Sequence, residues 1–302
     1  MQVNNSKTKF FAIHSSVAER APVRVGEMVV EWCDRYTYLG SVFTCDGSLA
    51  SAIQAHAQAK MCHVLKYVSF LQKNNDIPFY VKKRMFDAAM ISTVLYGCES
   101  WFQGDLRPVE RLYNWGIKQL LGVRMTTCTD LCYVELGYPP LKYLVKAKQR
   151  KFFSKLWNER RGMDDDPWTH AAKITLATNT LTARHIKGLI EERCDDVQIG
   201  LEYIKRVIST STSSRRVTYM TLNPSLSVHP IYRERGGVNE VHRVAFSQLR
   251  VIGHSLAIET GRWNRRGRGR LEVAERLSVR RSTDRDARAR VLPSHAASTG
   301  SV

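Results

Sequence analysis

Tyr38-Leu39-Gly40-Ser41-Val42-Phe43-Thr44-Cys45-Asp46-Gly47-Ser48 is the stretch whose reading decides the fold. It opens with aromatic and β-branched residues, which suit a pleated, half-buried surface. Asp46-Gly47 is a turn pair, and Ser48 is a good helix N-cap. Beyond Ser48 the period changes: Ile53, Ala57, Val64, Val68 and Leu71 recur on one face at helical spacing. Upstream, Phe10-Phe11-Ala12-Ile13 and Met28-Val29-Val30 are short apolar runs separated by Pro22 and Gly26, and Tyr36 to Phe43 reads as strand. The junction therefore predicts an α+β chain, mainly α, with short N-terminal strands followed by a helical bundle. So few strands make no independent domain, because an isolated hairpin is marginal in water. Residues 1–45 read as one edge of a larger sheet.

The helical part, 46–161, divides at its turn residues. Asn74-Asn75-Asp76 ends the first helix, and Pro78 is expected just inside the second, which runs to about Tyr96 with Gly97 as its stop. Asp105 is expected to cap a third helix ending at Leu121, with Gly122 as the left-handed residue after it. On that helix Val109, Leu112, Tyr113, Gly116, Ile117 and Leu120 form the core face, opposite Arg107, Arg111, Asn114 and Lys118. A short helix near 127–136 and a longer one over roughly 140–160 complete a bundle, the latter burying Leu141, Val145, Phe152 and Leu156. Residues 162–261 read as a partly helical region, broken at Asp164-Asp165-Asp166-Pro167 and at the Ser/Thr run 209–214. From Arg262 to Arg290 there are 11 Arg against 4 acidic residues without periodicity, so 262–302 reads as a disordered basic tail.

Composition narrows the partner. Lys plus Arg number 46 against 28 Asp plus Glu, a net charge of +18 and a pI near 9.8. A balance this basic implies a polyanionic partner, most simply nucleic acid, since neutralised phosphates release condensed counterions. No apolar run reaches the roughly 18–20 residues needed to span a bilayer, so no membrane partner is expected. Seven scattered cysteines do not form a disulfide framework, which points to reduced thiols and an intracellular protein, nuclear or cytoplasmic. Cys128-x3-Cys132 lacks a histidine at ligand spacing and reads as core thiols, so no metal site is expected there. Motifs for nucleotide cradles, serine hydrolases and zinc peptidases are lacking, and no small-molecule substrate is implied.

Asn4-Asn5-Ser6-Lys7-Thr8-Lys9, the Val25–Trp32 run, Tyr38-Leu39-Gly40, Asp46-Gly47-Ser48, Tyr96-Gly97-Cys98-Glu99 with Trp101, and Leu120-Leu121-Gly122-Val123-Arg124 follow in an order that resembles non-LTR (LINE-type) retrotransposon reverse transcriptases. The likeness covers about residues 2–160, the end of the palm and the thumb. It implies a lysine near the incoming nucleotide (Lys7 or Lys9) and a primer-gripping turn at Tyr38, Leu39 and Gly40. In that family Mg2+ is held by palm aspartates that precede the Asn4–Lys9 element. Only three residues precede it here, so the chain is expected to lack catalytic residues, metal ligands and any cofactor, and to be a truncated product that does not polymerise alone. Its expected partner is RNA or an RNA–DNA duplex, bound without sequence choice. The alternative is a domesticated helical module that docks a protein.

Read from the residues themselves, Gly40 lacks a Cβ and lets a turn approach a backbone closely, although Gly40 and Gly47 also serve any chain reversal. His56, Lys60, His63 and Tyr67 are spaced to form a basic, aromatic flank beside the first helix's apolar stripe, suited to a duplex and equally to a solvated face. Lys142 and Lys146 extend the basic surface. A second likeness, over Phe246–Arg250 and His254–Trp263, matches the segment before a zinc-knuckle-like motif in the same proteins. The cysteines of that motif are missing, and codons for residues 279–293 can be chosen so that the neighbouring frame reads CGGRQTEMHVLEYC. The Arg-rich tail is thus expected to be out of frame.

Overall fold

A computed structural model describes residues 8–26, 28–102, 104–159, 180–233 and 238–253. The fold is mainly helical with short strands at its N-terminal end. Strand β2 (Val23–Val25) pairs antiparallel with β3 (Met28–Trp32), and β1 (Lys9–Phe10) adds to the other side of β3 in parallel, giving the order β1-β3-β2. The expected single strand at Tyr36 to Phe43 is instead a hairpin, β4 (Arg35–Tyr38) and β5 (Ser41–Thr44), with its reversal at Leu39-Gly40. The turn wins over the strand propensity because Gly40 supplies a left-handed residue at low steric cost.

Asp46-Gly47-Ser48 connects β5 to helix α1 (Leu49–Lys73) as the sequence suggests. The Ser48 side chain accepts from Ser51 N–H at 3.2 Å, and the Asp46 carboxylate accepts from Ser48 N–H at 2.9 Å. Gly47 has φ +64, and a Cβ there would lie 2.6 Å from the His14 ring, so any other residue would be strained and would displace that ring. Helix α2 (Phe79–Met85) follows, preceded by Pro78 as its N-cap rather than as its first helical residue. The chain then widens into a π-helix over Phe86–Ile91 and closes with α3 (Ser92–Val94). Gly97, at φ +73, ends this rod where expected. Helices α4 (Arg107–Leu121), α5 (Thr129–Leu136) and α6 (Leu141–Glu159) complete the expected bundle.

The core stripe of α4 is buried as its spacing requires, but Lys118 is buried with it. Its ammonium donates to the Met125 carbonyl at 2.8 Å, which satisfies one of its three N–H donors. Phe152 is exposed rather than buried: α6 turns Leu141 and Val145 inward and leaves Phe152 packed edge-on against Phe153. The burial of the Leu156 side chain, the Asp164–Pro167 break and the tail from residue 254 lie outside what is described.

Helices α7 (Leu181–Glu191), α8 (Asp196–Ser209), α9 (Ser214–Leu222) and α10 (Glu240–Arg250) follow. The last three do not build a separate core. Ile204, Ile208, Tyr219, Leu226, Tyr232, Val251 and Ile252 join one continuous apolar cluster with residues of α1, α4 and α5. No helix among the described residues is long and apolar enough to cross a membrane.

Candidate nucleic-acid interface

The β4–β5 hairpin has Tyr38 paired with Ser41, leaving Leu39 and Gly40 as a two-residue turn with φ +48 and +82. Two successive positive φ angles match the right-handed strand twist, which is why such turns close hairpins. Glycine takes that region freely. Leucine does not: its Cβ crowds the next carbonyl, at a cost of roughly 1–2 kcal/mol. The strained residue is also the most exposed apolar side chain of the region, Leu39 at 75% and Tyr38 beside it at 59%.

Tyr96 holds this turn from below. Its hydroxyl donates to the Leu39 carbonyl at 2.6 Å. A Cβ on Gly40 would lie 3.1 Å from the Tyr96 ring, so the ring approaches where a side chain would otherwise be. The next residue repeats the fit from the other side, since a Cβ on Gly97 would meet the Ser41 hydroxyl at 2.9 Å. Lys60, on α1, places its ammonium 5.6 Å from the centre of the Tyr96 ring. Among the described residues no carboxylate pairs with Lys60, so a cation, two phenols and an aliphatic tip share one exposed corner. A π-helix precedes Tyr96 in the same rod, and its wider turn shifts the helical phase of the residues after it.

The four residues expected along α1 part company. Lys60 joins the corner and His63 is exposed, but His56 and Tyr67 are core residues at 3% and 6% exposure. The reason is spacing: His56 lies three residues after Ile53 and Tyr67 three after Val64, so the buried arc is wider than the apolar stripe. His56 Nε2 donates to the Val94 carbonyl at 3.1 Å, and its ring stands edge-on to Trp101 at 5.0 Å. Burial pushes the imidazole below its usual range, so it is neutral at pH 7 with the proton on Nε2. Tyr67 donates to the Lys82 carbonyl at 3.2 Å and packs on Phe86. Neither side chain can face a ligand.

The remaining lysines differ in how free their charge is. Lys9 is paired with Glu31. Lys146 lies 3.7 Å from Glu192 and 3.6 Å from the buried Asp196, which neutralise it. Lys142 is exposed and sits over the Tyr203 ring at 4.5 Å and the Tyr143 ring at 5.0 Å. Lys7 lies outside the described residues. The paired aspartates have structural roles: Asp195 caps α8 by accepting from Val197 and Gln198 N–H, and Asp196 accepts from Arg150 Nε at 2.7 Å. Cys132 Sγ donates to the Cys128 carbonyl at 3.4 Å, and burial pushes its thiol well up.

Two buried ionic clusters were not legible as such in the sequence. Glu240 accepts from Arg243 through two bonds of 2.7 Å and from Lys82 at 3.0 Å. Glu135, fully buried, accepts from Arg250 at 2.9 and 3.0 Å and from the Tyr219 hydroxyl at 2.7 Å. Both clamp α10 onto the bundle. No protein-family model, curated protein or solved structure matches the chain.

Proposed function

We propose that this chain derives from a LINE-type reverse transcriptase and binds RNA or an RNA–DNA duplex without sequence choice, through the Tyr38–Ser41 turn, Lys60 and the neighbouring basic surface. One observation carries the reading. Leu39-Gly40-Ser41 and Tyr96-Gly97, far apart in the sequence, fit each other, with Gly40 against the Tyr96 ring, Gly97 against the Ser41 hydroxyl and the Tyr96 hydroxyl on the Leu39 carbonyl. A turn held in a strained conformation with its tip in solvent is what a contact element needs, and strain of this kind gathers at functional sites.

The charge supports the same partner. Residues 254–302 hold 11 Arg and no Lys against 5 Asp plus Glu, so +12 of the +18 belongs to residues 1–253. Nucleotide-transfer chemistry is not part of the proposal: neither Asp164-Asp165-Asp166 nor Asp195-Asp196 has a tyrosine two residues before it, and the latter pair is engaged in capping and an ion pair.

The test is anisotropy of a labelled RNA–DNA hybrid titrated between about 50 and 200 mM salt. The logarithm of affinity should fall linearly with that of salt, and Lys60→Met should reduce the slope by about 0.9, the share of one phosphate. Affinity indifferent to salt, or no binding at the lowest salt, overturns the reading. The exposed apolar tip of Leu39 and Tyr38 favours one rival, the docking of a protein; in that case Lys60→Met leaves hybrid binding untouched.

A further inference from the structure

We infer that Tyr96 is a positioning residue, a latch whose hydroxyl keeps the Leu39-Gly40 turn in its contact-competent form. The inference rests on the turn being the contact element proposed above. Its first support is the mismatch at Leu39. A leucine at φ +48 favours relaxation to a negative φ, and relaxation would swing the turn's peptide groups and the Tyr38 and Leu39 side chains away from their present directions. Something outside the hairpin must oppose that. The hairpin is only four residues long on each side, too short to impose the turn by its ladder alone.

Tyr96 meets the requirement in three ways that can be separated. Its hydroxyl bonds the carbonyl of the strained residue itself, at 2.6 Å. Its ring fills the place left by the missing Cβ of Gly40, 3.1 Å from where that atom would stand. Its ring face also receives the Lys60 ammonium, so the cation is oriented by the residue that orients the turn. Only the first of these is lost in Tyr96→Phe. The cost of the strained residue and the worth of one hydrogen bond are comparable in size, so loss of the hydroxyl measurably lowers how much of the turn is in the held form.

The experiment is a double-mutant cycle on hybrid affinity at fixed low salt, with thermal melting of each variant to confirm the fold. Tyr96→Phe should weaken binding about twofold to tenfold, the factor one hydrogen bond carries. Leu39→Asn places at position 39 a residue that takes the left-handed region with far less strain. In that background Tyr96→Phe should change affinity by less than about twofold, because the latch has little left to oppose. A cooperative melt that shifts by no more than a few degrees across the cycle separates this from loss of fold. Equal weakening in both backgrounds makes Tyr96 an ordinary contact or packing residue and overturns the latch. So does an unchanged affinity of Tyr96→Phe where the parent chain binds. A parent chain that shows no salt-dependent binding overturns the site reading, and the latch with it.

Discussion

Replacing Glu240 by glutamine removes the one carboxylate shared by two buried cations. The Lys82 side chain is 2% exposed, as is that of Arg243, while that of Glu240 is 19% exposed. Glutamine keeps the shape but leaves both charges without a counter-ion. Backbone carbonyls remain, from Asn75 to Lys82 at 3.4 Å and from Leu120 to Arg243 at 3.3 Å, and the Phe79 ring lies 4.2 Å from the guanidinium. Breaking a buried pair by removing one partner costs about 3–5 kcal/mol. Water reaching the partly exposed carboxylate position moves the expectation to the lower end, about 3 kcal/mol. At this chain size that is about 5–6 °C in Tm. Urea and thermal denaturation of Glu240→Gln measure it, and Lys82→Met makes the test specific. Alone, Lys82→Met should destabilise, since it strips Glu240 of a partner; in the Glu240→Gln background it should stabilise, since it deletes an uncompensated buried charge. A cost below about 1 kcal/mol for Glu240→Gln, or the same sign for Lys82→Met in both backgrounds, refutes the reasoning.

The same cluster sets an acid limit. Burial alone would raise the Glu240 carboxyl, but hydrogen bonds and charge from Arg243 and Lys82 outweigh it and hold it below its usual range. A depressed folded value means that the carboxylate's contribution is complete above about pH 4.5 and is lost as pH falls through the folded value, so Glu240→Gln should flatten the acid limb of a stability–pH curve. His56 acts in the same direction at higher pH: its lowered folded value means stability falls as pH drops below 6.5, and His56→Asn should remove part of that slope in urea titrations between pH 7 and 5. Gly40→Ala should cost more than Gly26→Ala in thermal melts. Both have positive φ, about 1–2 kcal/mol for a Cβ, but only Gly40 adds a 3.1 Å contact with Tyr96, and equal losses would remove that contact from the account. Gly116→Ala should destabilise by up to about 2 kcal/mol, overpacking against Phe86 and Met90 exceeding alanine's helix preference; a more stable variant in urea would refute the packing.

What the sequence disclosed follows from the range of the interactions involved. Ser48 as a cap, Gly97 and Gly122 as left-handed stops and the α4 core stripe are local, fixed by a residue and its near neighbours. The YLG turn was legible as a motif, and so was Tyr96-Gly97, but not that one is the floor of the other, because the contact joins residues 57 apart. The misplacement of His56 and Tyr67 has a different cause. Polar atoms at the edge of a helix stripe can be buried when a backbone carbonyl waits for them, and Val94 and Lys82 supply those carbonyls from another helix. Lys118 looked like outer-face charge for the same reason, and the carbonyl that receives it belongs to Met125, just past the end of its own helix. That Ile204 and Ile208 share the core of the N-terminal helices was not legible either, because nothing local to them says which distant residues they pack against.

The two clamps on α10 and the Tyr96 latch work at different distances from the proposed contact, and that gives the interface its logic. Lys82 belongs to the rod that begins at Phe79 and ends at Gly97, and Tyr96 is near its far end. Glu240 fixes the start of that rod and Tyr67 donates to the Lys82 carbonyl, so its start is tied to both α10 and α1. The rod's other end is tied to α1 through His56 and Val94, four residues from Lys60 on one side and two from Tyr96 on the other. A hydrogen bond buried at this place fixes the separation of Lys60 and Tyr96, and so the cation's position over the ring. His56→Ala should therefore move two observables together, lowering stability and weakening hybrid binding, whereas Glu240→Gln, measured well below its melting temperature, should lower stability with hybrid affinity unchanged. Loss of affinity from Glu240→Gln under conditions where the chain remains folded would show that the rod transmits strain along its whole length.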